Sequence, residues 1–441
     1  MSDNWDHLKE IVSEVLKKSK QLGLDAAEAS VSWSSGLSAT VRLGTVESVE
    51  FNRDKGLGIT VYKGKKKGSV STTDLQPAAI QSSLEAACRI AEYTEEDPYS
   101  GLADIESLAR DIPNLDLDHP SNVTAEQAVQ WAKECEDSAR AFDSKIANSE
   151  GATFATHRGY RVYGNTLGFL GAYPGTRHSL NCIVIAKSGD CMQRDYDFTT
   201  ARDIKDLNSR NSVGQTAALR SIRRLNARKM KTCEAPVIFS AEIAGGLWGS
   251  FIAAISGGNL YRRSSFLVDH LDKRIFPDFV NVEEIPHLRK GLGSAPFDDE
   301  GVATVQHSIV QAGILKSYVL SSYSARRLGL KTTGNAGGVN NLFISDSECD
   351  LADLIKRMGR GLLVTELMGH GVNLVTGDYS RGAGGFWIED GQIQYPVHEI
   401  TVAANLKDMF SNLVAIGDDT EKRGNIFTGS VLIDRMMIAG S

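Results

Sequence analysis

From residue 26 to residue 72 the chain alternates apolar and polar positions with period two. The runs AEASVSW, LSATVRL, TVESVEF and GLGITVYK each close on Gly, Asn or Asp. Successive short strands with no helix between them cannot be joined as βαβ units, so this part must build an antiparallel sheet. Helices flank these strands on both sides in the sequence. Residues 5–22 place Leu8, Ile11, Val12, Val15 and Leu16 on one side of a helix, with Lys and Glu opposite. A second helix is expected from Pro77 to Tyr93, ending at EEDP.

Residues 97–122 are rich in Pro, Asp and Ser and read as a connector. Thr124 followed by Gln127 is a capping-box signature that opens a further helix. Strand-like runs resume in ANSEGATFATHRGYRVYGNTLGFLGAY and SLNCIVIAKSGD, and a helix over about 211–228 ends in the basic RSIRRLNARK. Beyond residue 230 the character changes. Glycine doublets stand at 245–246, 257–258, 337–338 and 384–385, and strands such as ATVQHSIVQAG, LKSYVLS, GGFWIEDGQIQY, EITVAANL and SVLIDRMMIAG outweigh helices. The expected class is α+β: an N-terminal α/β part with an antiparallel sheet, followed by a β-rich C-terminal domain. The expected units are a lobe over 1–96, the connector 97–122, a second lobe over 123–230 and the β-rich domain 231–441.

The composition excludes several functions. No apolar run approaches the ~18–20 residues that cross a bilayer, and the charged amphipathic N-terminus is no signal peptide, so cytoplasmic residence is expected and a membrane role is not. A net charge of −7 points away from direct nucleic-acid binding. The one basic cluster, KGKKKG at 63–68, fits a solvated hairpin turn that guards a sheet edge. Six scattered cysteines, at 88, 135, 182, 191, 233 and 349, form no CxxC pair and read as reduced core thiols.

Chemistry-bearing residues are few. In PVIFSAEIAGGLWGSFIAAISG (236–257) a strand runs into a helix with one acid, Glu242. At 100° per residue, Ala244, Leu247, Trp248, Phe251, Ile252 and Ile255 share one stripe. Glu242, Gly246, Gly249, Ala253 and Ser256 lie opposite. An acid in a first turn is favoured by the helix dipole by ~0.3–1 kcal/mol, with Ser240 as the expected N-cap. Glu366 and His370, four apart, could share a helical face with Asp378 or His398 nearby, although MGHG reads better as a helix end closed by Gly371. Asp298–Asp299–Glu300–Gly301 reads as a polar turn between strands, Ser321–Ser322 as a strand end, and TGNAGG at 333–338 lacks the Gly-Lys-Ser/Thr of a phosphate loop. No G-x-S-x-G elbow is present.

Taken together, the 236–258 stretch, APFDDEG (295–301) and GILKSYVLSSYSARRLGLKTTGNAGG (313–338) resemble the TldD/PmbA family of metallopeptidases. The block LLVTELMGHGVNLVTGDYSRGAGGFWIEDGQIQYPVHEITVAANLKDMF (362–410) and EEDPYSGLAD (95–104) resemble its PmbA branch, also called TldE. In TldD chains, the resemblance implies, this helix carries His-Glu-x-x-x-His, whose imidazoles hold zinc together with a late cysteine while the Glu acts as general base. Here the first His position is Ala241, the Glu is Glu242 and the last His position is Gly246, and 377–386 holds no cysteine. No metal is therefore expected on this chain, and Glu242 is the remnant general-base position, kept for helix capping.

The resemblance also implies a heterodimer with a zinc-bearing TldD-type chain. The pair would act as a cytoplasmic metalloprotease on extended or unfolded polypeptide, including peptide-antibiotic precursors, with a homodimer formed when this chain is alone. It brings an association with modulation of DNA gyrase that the charge pattern does not support. Two other classes stay open: a self-sufficient homodimeric metallopeptidase using ligands such as Glu366 and His370, and a non-catalytic scaffold.

Overall fold

A computed structural model describes residues 5–440. The N-terminal half runs α1 (Asp6–Gln21), β1 (Ala26–Arg42), β2 (Thr45–Lys63), β3 (Lys66–Thr72), α2 (Pro77–Tyr93), α3 (Ala125–Arg140), β4 (Ile146–Asn165), β5 (Leu170–Ser188), β6 (Cys191–Ala201) and α4 (Arg210–Arg223). Its strands form one antiparallel sheet in the order β3-β2-β1-β4-β5-β6. The helices cover one face. α1 buries Leu8, Ile11, Val12, Val15 and Leu16 against Ala29, Val31 and Ile59, while α3 buries Ala128, Ala132 and Cys135 against Leu37, Ala39 and Val41. Thr124 and Gln127 make the expected capping box at α3, and Pro77 occupies the first turn of α2, where its missing N–H costs nothing.

The strands are longer than their sequence runs. AEASVSW and LSATVRL are one strand, because Ser34, Ser35 and Gly36 pair on both sides, Ser35 with Arg53 and with Arg158. TVESVEF and GLGITVYK merge likewise into β2. Pro174 lies inside β5, at a point where β6 has not yet joined its far side. Lys63 and Lys66 close the β2–β3 turn beside the edge strand β3, as the lysine cluster leads one to expect.

Residues 97–122 are a packed strap. Leu108, Leu115 and Leu117 are buried, Ala109 N donates to Gly301 O (2.9 Å), Ala303 N to Ser107 O (3.0 Å), and Thr176 N to Leu117 O (2.8 Å). The strap thus ties the sheet to the C-terminal half.

That half continues with β7 (Cys233–Phe239), α5 (Ala241–Ala254), α6 (Gly257–Tyr261), β8 (Val282–Glu284), β9 (His307–Gln311), β10 (Ile314–Leu315), α7 (Ser322–Leu328), β11 (Leu342–Ile344) and α8 (Leu351–Met358). It ends with β12 (Gly361–Met368), β13 (Asp378–Glu389), β14 (Gln392–Asn405), α9 (Leu406–Ser411), β15 (Leu413–Ile416), β16 (Ile426–Phe427) and β17 (Val431–Ala439). The main sheet is ordered β14-β13-β12-β7-β17-β15, and a further pairing of β14 with β17 closes it on itself. The core of this half gathers Trp248 and Phe251 of α5 with Phe276 and Phe410, ring centroids 4.9–6.4 Å apart in the contacting pairs.

Three expectations fail locally. The segment TELM is strand β12, paired with β7 and β13, and no helix precedes His370. Ser321 is the N-cap of α7, in a capping box with Ser324, rather than a strand end. Of LKSYVLS only Leu315 enters a ladder, while Val319 makes an isolated bridge to Ser256. Among the described residues, no helix is long and apolar enough to cross a membrane.

Candidate functional site

β7 delivers the chain to Ser240, and α5 starts at once. The predicted stripe is buried at Ala244, Leu247, Trp248, Phe251 and Ile255, with Ile252 half-buried. Ser240 holds the N-cap position, and its carbonyl accepts from Ile243 N (3.0 Å) and Ala244 N (2.9 Å). Its side chain does not cap the helix: Oγ is buried with no hydrogen-bond partner. The free N–H of Ala241 is met instead by Ser430 Oγ (3.0 Å), which donates to Asp419 Oδ2 (2.6 Å).

Dipole capping alone does not describe Glu242. Its carboxylate is gripped by the Arg220 guanidinium and by Arg423 Nη2 at 3.0 Å. Arg423 also donates to Asp197 Oδ1 (2.6 Å), to Phe198 O (2.9 Å) and through Nε to Glu421 (2.8 and 2.9 Å), and stacks 4.5 Å over the Phe198 ring. Arg220 Nη1 returns to Asp197 at 3.2 Å. Two guanidinium groups and three carboxylates thus form one network, in which the Asp197 side chain is 7% exposed and that of Arg423 17%. Burial pushes the Glu421 carboxyl up, yet its hydrogen bonds to Arg423 outweigh that and hold it below the ordinary value. The Arg423 guanidinium is disfavoured by burial but held above its ordinary value by Glu421 and Asp197.

Beside this network, Arg224 joins Asp195 (3.3 Å) to Glu366. Arg223 lies over the Phe386 ring at 5.1 Å. Asp195, Arg223, Arg224 and Phe386, with Ser240 and Ala241, line a cavity of about 370 Å³. None of the arginines was singled out in the sequence as a site residue. The RSIRRLNARK run stands there only as the basic end of a helix, although Arg220 and Arg224, four apart, share a helical face. Arg423 carries no local signal and meets Glu242 across 181 positions.

The other candidates separate. Glu366 is committed to Arg224, and His370 is exposed in the turn after β12. Asp378 accepts from Thr376 Oγ1 (2.6 Å) and Asn405 Nδ2 (3.3 Å), and His398 is half-buried on β14. Among the described residues no group of three or more His, Cys, Asp or Glu is placed to hold a metal ion. Residues 377–386 do lie near α5, through β13. A Cβ built on Gly246 would sit 3.9 Å from an Arg381 Nη1, and Arg381 Nε is buried without a partner. Ala241, Gly246 and Arg381 thus offer a metal neither imidazole nor thiolate, and the adjoining carboxylate is already bound by cations. That donor set does not suit zinc.

The acidic turn at 298–301 is structural. Asp298 is buried and accepts from Glu300 N (2.9 Å), Val302 N (2.9 Å) and Ala336 N (3.0 Å), and burial still pushes its carboxyl up to about 7. Asp299 pairs with Arg161 (2.6 Å), and Glu300 accepts from Ser322 N (2.8 Å). In TGNAGG, Asn335 donates to the buried Glu284 at 3.0 Å.

Three family models match consecutive parts of the chain: PmbA/TldA metallopeptidase domain 1 at 27–91, the central domain at 118–225 and the C-terminal domain at 232–440. The chain is 51% identical over 433 residues to metalloprotease PmbA of Escherichia coli O157:H7, covering 98% of this chain and 96% of that one. A metalloprotease PmbA homolog of Haemophilus influenzae is 47% identical over the same shares, 98% and 96%. Among solved structures, a putative modulator of DNA gyrase from Bacteroides thetaiotaomicron superposes with TM-score 0.93 at 26% identity, covering 99% of each chain. TldE from Thermococcus kodakarensis gives TM-score 0.85 at 21% identity over 98% and 100%, a likeness of fold.

Proposed function

The chain belongs to the PmbA/TldA metallopeptidase family, and from that premise we propose that it is the zinc-free, TldE-type subunit of a two-chain peptidase. Its partner is a TldD-type chain that holds the zinc and the general base. Together they act in the cytoplasm on extended or unfolded polypeptide, precursors of peptide antibiotics included. This chain stabilises the partner and walls the path of the substrate.

The observation that carries the reading is the clamp on Glu242. A general base must accept a proton from a metal-bound water in its transition state. Glu242 instead faces two guanidinium groups, and the side chains at Ala241, Gly246 and Arg381 add no ligand. The relatives named as metalloproteases support the reaction class. The solved chain named TldE, whose fold is shared, supports the assignment to that branch.

The test compares hydrolysis of an unfolded polypeptide by this chain alone, by a TldD-type chain alone and by the mixture. Activity restricted to preparations that contain the TldD-type chain, and raised when this chain is added, is the expected result. Hydrolysis by this chain alone would restore the self-sufficient enzyme. A mixture no better than the TldD-type chain alone would leave this chain a scaffold.

A further inference from the structure

A cavity of about 550 Å³ opens where the N-terminal sheet meets the strap and α7, and it shares no lining residue with the Glu242 network. Glu28 of β1 and Glu300 of the acidic turn both line it. Each carboxylate oxygen of Glu28 accepts one hydroxyl, from Tyr62 and from Tyr163, and Glu300 accepts Ser322 N through Oε2 alone. Among the described residues neither carboxylate has a cation at ion-pair distance, unlike Glu242 with its two guanidinium groups. Burial raises the Glu28 carboxyl above its ordinary value and the Glu300 charge adds to this, while the two hydroxyls and Lys67 act the other way. In the same wall Ser100 is 5% exposed, and its hydroxyl has no hydrogen-bond partner. Two carboxylates in one cavity without a counter-ion, beside an unpaired buried hydroxyl, make a polar site that lacks a positive charge and its donors.

We propose that this cavity binds a small aliphatic amine in its ammonium form, with the charge facing Glu28 and Glu300 and an N–H given to Ser100 Oγ. A primary ammonium supplies one positive charge and three N–H donors on a single atom, which matches these three acceptors. A metal ion does not suit the site, since among the described residues no group of three or more His, Cys, Asp or Glu is placed to hold one. The wider lining keeps the same sign: Glu95 and Asp97 join Glu28 and Glu300 against Lys65 and Lys67. Lys65 is already bonded to Ser100 O at 3.1 Å, whereas Lys67 is exposed and is the group that meets a carboxylate at the ligand's far end. Leu102 and Ala103 give the alkyl chain an apolar wall. The volume falls within the range of about 300–1,000 Å³ usual for small-molecule sites. The inference goes beyond the reading proposed for the α5 network and does not rest on it.

The test is isothermal titration calorimetry on the full chain with two probes of similar length, putrescine and γ-aminobutyrate. Butyltrimethylammonium, which carries the charge but no N–H, serves as the control. At least one primary amine should bind saturably, one per chain, and the quaternary control should not. Affinity should fall roughly tenfold or more in Glu28→Gln and in Glu300→Gln, since each removes a charged acceptor. Thermal melts check that both variants fold, and Glu300→Gln, which touches a single backbone N–H, stays informative if Glu28→Gln disturbs the sheet. Tighter binding of putrescine marks a dication as the ligand class, and tighter binding of γ-aminobutyrate a zwitterion whose carboxylate meets Lys67; either upholds the ammonium site. No saturable binding of either amine up to millimolar concentration, equal binding of the quaternary control, or an affinity indifferent to the carboxamide variants in folded protein would each overturn the proposal.

Discussion

The two large sheets treat their edges and their buried charges differently. The N-terminal sheet is antiparallel throughout and leaves β2 open from 45 to 56, whereas the C-terminal sheet turns back through β14 and β17 and closes. Beneath the first, the half-buried Glu28 accepts from two hydroxyls, Tyr62 (3.0 Å) and Tyr163 (2.7 Å). Where the second meets α4, Asp197, Glu242 and Glu421 are held by Arg220 and Arg423. A carboxylate bound by guanidinium groups is committed to structure and is a poor base, while an unpaired strand edge is committed to nothing within its own chain. The contrast places the committed charges around α5 and leaves the N-terminal sheet with an open edge.

Removing the central cation should break that contrast most severely. Arg423→Ala leaves the buried Asp197 with Arg220 alone and strands the Glu421 carboxylate, and loss of one partner from such a set costs about 3–5 kcal/mol. Urea unfolding that moves by less than about 1 kcal/mol would show the network to be ornamental.

The pH response sharpens the comparison, because the two regions have opposite signs. Glu421 sits below its ordinary value of 4.5, so its stabilisation is present above that pH and is lost as pH falls through the native value. Burial lifts Glu28 above 4.5 despite the bonds from Tyr163 and Tyr62. Its contribution is complete below 4.5 and is lost as pH rises through the native value. Glu421→Gln should flatten the acid limb of a melting-temperature profile, and Glu28→Gln should flatten the decline on the higher side. Parallel shifts in the two variants would contradict these assignments.

How much of this was legible in the sequence depends on how far apart the partners lie. α1, α2 and α3 follow from periodicity and caps within one segment, and they sit where the pattern places them. Strand lengths were underread because Ser34–Gly36 looks like a break, yet it is supported on both sides by neighbours remote in sequence. TELMGH carries helical spacing by coincidence, and pairing with β7 and β13 overrides it. Glu242 stood out as the lone acid of an apolar helix, but its meaning rests on Arg220, in the helix before, and on Arg423, 181 positions away. No local pattern encodes the second of these contacts.

A smaller effect is expected at Glu242 itself. Its side chain is 35% exposed, so solvent screens its ion pairs. Glu242→Gln should lower stability by about 1 kcal/mol and leave peptidase activity of the paired complex nearly unchanged. A large loss of activity with the fold intact would make it a chemical group.

The smallest change concerns the small-residue side of α5. Its close approach to another backbone, which the Gly and Ala spacing invites, is not met within this chain: nothing lies within 4 Å of a Cβ built on Gly245 or Gly249. Gly249→Leu should therefore leave the isolated chain unchanged or raise its melting point slightly, by up to ~1 kcal/mol of helix propensity. A clear loss only in the paired complex would place the partner's backbone on this face.

The central claim, that α5 is a cation-clamped frame with no metal of its own, is tested most directly by elemental analysis of the purified chain after exchange into zinc-containing and then zinc-free buffer. The account predicts zinc far below one atom per chain, in the unaltered protein and in Glu242→Gln alike. About one zinc per chain in the unaltered protein would contradict it, whether or not Glu242→Gln kept the ion, since a general base activates the metal-bound water without itself holding the metal.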